Sequence, residues 1–138
     1  MNRRFVLTII FTAAVVAGAT AFAQQQRPYN QIMKDVGTTF ASLRKNLDGN
    51  SAAAAAEDAA KLEALFTETE AFWAPFDTRD AMGFAKRGRD AAAAIGAAAK
   101  AGGELKAAQP SVAVIQKACA NCHFSHREET GKGFFIKP

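Results

Sequence analysis

Helical periodicity constrains this chain more than any composition figure. Four segments repeat their large apolar residues at steps of three and four, and no stretch reads as a strand. The first runs from about Tyr29 to Leu47, with Met33, Val36, Phe40, Leu43 and Leu47 on one helical face. Asp48-Gly49-Asn50 ends it, and Gly49 suits a left-handed cap. The second starts at an Asn50 or Ser51 N-cap and reaches about Ala71 or Trp73. It carries Leu62, Leu65, Phe66, Thr69, Phe72 and Trp73 at helical spacing, and Pro75 stops it. The third follows Asp77 or Thr78, puts Asp80 in its first turn, carries Met82, Phe84 and Ile95, and ends at Gly102-Gly103. The fourth runs from about Pro110 to Glu129, with Val112, Ile115, Cys119 and Cys122 on one side. Connections this short make successive helices antiparallel neighbours. The expected fold is therefore all-α, an up-down four-helix bundle. The tail from Thr130 to Pro138 has no helical pattern and is expected to pack back on the bundle.

Alanine blocks at 52–56, 91–94 and 97–99 are strong helix formers that also permit close helix approach. They leave the bundle short of large core side chains. A flat apolar cofactor between the helices would supply the missing volume.

The first residues stand apart from this pattern. Arg3 and Arg4 precede a run from Phe5 to Ala23 with no charge, closed by Ala21-Phe22-Ala23. A basic start, an apolar stretch and an A-x-A site read as a secretory signal peptide over residues 1–23. An uncleaved anchor is the alternative, since a span needs about 20 apolar residues. Thr8, Thr12, Gly18 and Thr20 dilute the run and argue against it. Residues 24–138 are then one exported domain, periplasmic and free of the membrane after cleavage. The net charge of +4 falls to +2 without Arg3 and Arg4, and no basic run of five residues occurs. Nucleic acid is not a supported partner.

The chain's two cysteines lie three apart, in Cys119-Ala120-Asn121-Cys122-His123. A disulfide across so short a loop would remove little unfolded-chain entropy. C-x-x-C-H is the attachment pattern of c-type haem. On a helix, positions i and i+3 set two thiols side by side on one rim, where they add across two vinyl groups of a porphyrin. His123 at i+4 shares that face and can reach the iron. One covalent haem c, held by Cys119, Cys122 and His123, is the expectation. A thioredoxin-type pair would need a βαβ pattern, which is missing. A plain disulfide or thiol pair stays open in an exported protein. So does zinc on Cys119, Cys122, His123 and His126. However, positions 119 to 126 span about 10 Å of a straight helix, too far for four ligands to converge on one ion.

With C-x-x-C-H in the last helix, Arg127 four residues after the histidine, Ile32-Met33-Lys34 early in the first helix and a Trp73-to-Phe76 segment ending the second, the chain resembles the class II cytochromes c. This is the family of cytochrome c′ and its low-spin relatives. The resemblance covers the whole of residues 24–138. It implies a haem buried between the helices near the C-terminus, with His123 as proximal ligand and residue 33 facing the opposite side of the iron. A methionine there is the sixth ligand of the low-spin members, and it raises the haem potential. In cytochrome c′ that place does not bind iron, and the centre takes nitric oxide or carbon monoxide. A homodimer through the first two helices is an expectation of the resemblance alone. Two positions depart from the family: Tyr29 where an arginine is often found, and His126 where an aromatic residue often precedes Arg127.

The first reading is a periplasmic electron-transfer protein, not an enzyme, with His123 and Met33 on the iron and redox proteins as unidentified partners. The alternative is a five-coordinate gas-binding protein in which Met33 only packs. A small peroxidase would need a distal acid–base group, and the helix around Met33 offers only Lys34 and Asp35. Met82 is expected in the core. His126 is expected to bond a propionate or to sit exposed at the rim, and Arg127 to neutralise a propionate or to be solvated. Lys86, Arg87 and Arg89 could dock an acidic redox partner, with a solvated helix face as the simpler reading.

Overall fold

The computed structural model describes residues 27–102, 104–131 and 133–138. The signal-peptide expectation for residues 1–23 lies outside them. The described chain is mostly helical, as expected for an all-α bundle, with four α-helices and one small two-stranded sheet. Helix α1 spans Tyr29–Asp48, α2 Ala52–Trp73, α3 Arg79–Lys100 and α4 Gln109–His126. None of these is long and apolar enough to cross a membrane. Helix α2 packs along α3, α1 lies on α2, and α4 lies on α3.

The helix ends follow from local chemistry. Gly49 keeps an ordinary φ of −80°, and the left-handed residue is Asn50 at φ 54°. With Asn50 turned this way, its N–H bonds the Leu47 carbonyl and the Ser51 N–H reaches back to Asn46, which closes the last turn. The expected glycine cap is therefore an asparagine cap, which the short polar side chain of Asn tolerates. Pro75 sits in a 3₁₀ turn, Ala74–Phe76, and Asp77 at φ 51° redirects the chain into α3. A second 3₁₀ turn, Leu105–Ala108, leads into α4, where Pro110 occupies the first turn and its missing N–H costs nothing.

Helix α4 ends at His126, three residues earlier than the sequence suggests, and strands follow where none was expected. Strand β1 (Arg127–Thr130) pairs antiparallel with β2 (Gly133–Ile136), and Arg127 lies opposite Ile136. The tail thus folds into a hairpin.

The core is one cluster. Leu43, Leu62, Ile95 and Ile115 are fully enclosed, with Ala55, Ala59 and Ala92 between them. The small residues let α2 and α3 approach closely. A methyl group on Gly88 would lie 2.7 Å from the ring of buried Phe66, and one on Gly96 would lie 3.5 Å from Ala59 Cβ. Helix α1 buries Ile32, Val36, Leu43 and Leu47, while Met33 and Phe40 stay half-buried. The single apolar face read from the sequence is therefore split. One edge enters the core and the other points at a space beside it.

Candidate functional site

That space lies between α1 and α4, which make little backbone contact with each other. It has two lobes, of about 520 and 410 Å³, and Tyr29, Met33, Cys122 and His123 line both. Volumes of this order suit a bound organic group. Helix α4 supplies the cysteines and His123 from one side. Helix α1 supplies Met33 from the other, with Tyr29 one turn before it.

The smaller lobe is apolar. Phe40, Phe66 and Phe84 line it, and Cys119 opens only here. The larger lobe takes in Asn30, Lys34, Trp73, His126 and Arg127, with the apolar side chains of β2 at its edge. No Asp or Glu lines either lobe.

Cys119 and Cys122 are both free and half-buried. Burial pushes both thiols up, Cys122 to about 11 with help from the charges of Cys119 and Asp80. A redox-active pair needs at least one thiol pushed down, so this environment does not suit thiol–disulfide exchange. Burial, aided by the nearby Arg127 charge, lowers the pKa of His123. Its imidazole is therefore neutral near pH 7, with a lone pair available to a metal. Among the described residues the His123 ring has no hydrogen-bond partner.

His126, three residues further on, has the opposite fate. It is buried, at 8% exposure. Its Nε2 meets Asp80 Oδ2 at 3.0 Å, its Nδ1 meets the Lys137 carbonyl at 2.9 Å, and its ring lies 5.0 Å from that of Trp73. The expectation of an exposed rim histidine is corrected, since His126 ties the tail to the start of α3. Both its nitrogens being engaged, it is unavailable as a zinc ligand. Among the described residues no three of His, Cys, Asp and Glu converge to hold an ion.

Arg127 is the first residue of β1 instead of a further turn of α4, so its place is set by the hairpin. It lines the larger lobe, and its guanidinium lies 3.4 Å above the Phe134 ring. Met82 is half-buried on α3 and lines neither lobe. The basic cluster on α3 is satisfied locally. Lys86 pairs with Asp90, Arg89 with Glu70, and Arg87 stacks over Phe84. That arrangement weakens its reading as a docking patch.

Sequence reading expects some of Phe40, Phe66, Phe72, Trp73 and Phe84 to line the site, and it misses Tyr29 as their companion. Trp73 Nε1 donates to the Tyr29 hydroxyl at 3.0 Å, and Tyr29 stacks on Phe72 at 4.0 Å. Burial pushes the Tyr29 phenol up to about 12. The available signal was spacing, because Tyr29 precedes Met33 by four residues and must share its face.

The residues present fit a haem c. Two thiols sit on the rim of a cavity with one apolar lobe, a neutral imidazole lies beside them, and a thioether lines the same space. The chain matches no family model, no curated protein and no solved structure.

Proposed function

We propose that this chain is an exported, periplasmic monohaem c-type cytochrome that carries single electrons. On this reading it is an antiparallel up-down bundle of the class II type, with the haem attached near its C-terminus. One observation carries the proposal: Cys119, Cys122 and His123 of α4 share a void with Met33 of α1. When bound, haem c supplies a ferric–ferrous couple at a potential set by its ligands and surroundings.

Each residue then has a task. The thiols of Cys119 and Cys122 tether the group by thioether bonds. His123 holds the iron from the α4 side and Met33 from the α1 side. Phe40, Phe66 and Phe84 exclude water from the apolar lobe, which favours the less charged, reduced form. The chain needs no acid–base group for this work, and an enzyme role is not part of the proposal. Its partners are redox proteins, and neither nucleic acid nor membrane enters the reading.

The test is the mass and the absorption spectra of the matured protein in both oxidation states. The expected mass exceeds that of the polypeptide by one haem. The expected spectrum is low-spin, with a weak iron–sulfur band that Met33→Ala abolishes. A colourless product with polypeptide mass sinks the proposal. A high-spin ferrous form that takes carbon monoxide quickly would replace electron transfer by gas binding at the same tether.

A further inference from the structure

The two lobes of the cavity differ in charge. Apart from the shared groups and the Cys119 thiol, the smaller lobe has no ionisable side chain. The larger one adds two cations, Lys34 and Arg127, together with Asn30, and has no carboxylate. Asp80, whose charge reaches Cys122, is already engaged by His126. An anionic group in the larger lobe therefore finds two cations among mostly apolar walls and no opposing carboxylate.

The donors are also oriented. Trp73 donates to the Tyr29 oxygen, which occupies an acceptor site and leaves the phenol's own proton to be given elsewhere. The stack on Phe72 pins the ring. Arg127 sits with its guanidinium 3.4 Å over the Phe134 ring, which restrains a group whose planar fork of N–H donors matches a carboxylate. Lys34 adds a charge from α1, next to Met33.

A haem has the same asymmetry. Its vinyl groups lie at one side of the ring and its two propionates at another. Cys119 opens only into the apolar lobe, so the thioether edge belongs there. We propose that the larger lobe is the carboxylate pocket of the site: Tyr29, Lys34 and Arg127 receive the propionates of the ring in the orientation that the two thioether bonds set. Trp73 acts through Tyr29, as a positioning residue. This inference rests on the haem reading above and adds two receptors, Tyr29 and Lys34, that the C-x-x-C-H motif does not indicate.

The experiment uses the matured protein and three exposed or conservative variants, Tyr29→Phe, Lys34→Gln and, as a distant control, Lys61→Gln. Mass spectrometry first establishes haem attachment in each. A polypeptide-only mass in the parent protein overturns the haem reading and this inference with it. With haem attached, Tyr29→Phe is expected to shift the propionate bending band of the resonance Raman spectrum, because that band follows hydrogen bonding to the carboxylates. Lys34→Gln is expected to lower the midpoint potential relative to Lys61→Gln, because removing a nearby positive charge stabilises ferric haem. An unmoved band in Tyr29→Phe, with equal potentials in the two lysine variants, overturns the carboxylate pocket and leaves the haem reading standing.

Discussion

The half of the molecule that carries the α1–α2 and α3–α4 connections is closed, and the half that carries the tail is open. In the closed half Leu43, Leu62, Ile95 and Ile115 have no exposed surface, and alanines fill the gaps between them. In the open half Tyr29, Met33, Phe40 and Cys119 pack against the same core yet remain half-buried. The same helices run through both. What differs is side-chain direction, since α1 turns Leu43 and Leu47 into the core and leaves Met33 and Phe40 facing a void. The chain therefore has a closed core at one end and a core that borders an open cavity at the other.

Deleting a large side chain should expose this difference directly. In an unloaded chain with Cys119→Ser and Cys122→Ser, Leu62→Ala should cost about 2–5 kcal/mol, as a cavity in a closed core does. Phe40→Ala in the same background should cost less than about 1.5 kcal/mol, because part of its ring gains nothing from burial. With haem attached, the cost of Phe40→Ala should rise. Urea unfolding of the three unloaded proteins, and of the haem-loaded parent and its Phe40→Ala variant, measures this. Equal losses for Leu62→Ala and Phe40→Ala without haem would mean that the open half closes on itself.

The closed half and the helices were legible in the sequence because their signals are local. Apolar spacing marks each helix, and Asn50, Pro75, Gly102 and Pro110 mark the ends within a residue or two. The shared face of Cys119, Cys122 and His123 was legible for the same reason, whereas Met33 was singled out by the family resemblance. The hairpin was not. Arg127, Glu128 and Glu129 are acceptable helix residues, and only pairing with 133–136 pulls them out of α4. Two strands of four residues are too short for a period of two to stand out. The burial of His126 depends on Asp80, 46 residues away, and on a carbonyl of the tail. No local pattern announces such partners. For the same reason the split of the α1 face was invisible: spacing locates a face, and only the neighbouring helices decide which edge of it meets a core.

A smaller effect separates two glycines of α3. Gly88→Ala should destabilise. Its methyl would meet the Phe66 ring at 2.7 Å, an overpacking cost of about 1–3 kcal/mol against a helix-propensity gain of about 1 kcal/mol. Gly96→Ala meets Ala59 at an ordinary 3.5 Å and should stabilise by up to about 1 kcal/mol. Phe66 also lines the apolar lobe, so on the proposed haem reading Gly88→Ala should disturb the haem spectrum while Gly96→Ala leaves it alone. Combining Gly88→Ala with Phe66→Leu should recover part of the loss, a coupling that denaturant curves of the single and double variants would show. Opposite signs at the two positions confine close packing to where Phe66 meets α3. Equal signs would spread it along the whole interface.

The smallest expected effect concerns acid and the tail. The hydrogen bond from His126 holds the Asp80 carboxyl below its usual range, with further help from the Ala81 N–H and the His126 charge, while desolvation opposes them. A carboxylate with a depressed folded pKa contributes stability above its unfolded value of about 3.9, and that contribution is lost as pH falls through the lower folded value. Asp80 is exposed, so the loss should be small and local. It should appear as faster amide exchange in β1 and β2 below about pH 4, with Leu62 and Ile95 still protected. Asp80→Asn should remove that acid dependence without moving the exchange of the closed half. If the hairpin of Asp80→Asn still loosens in acid as the parent does, the His126–Asp80 contact is not what anchors the tail. The His126 Nδ1 contact with the Lys137 carbonyl, the backbone bond from the Lys137 N–H to the His126 carbonyl and the cation–π seat of Arg127 on Phe134 would then hold it without Asp80.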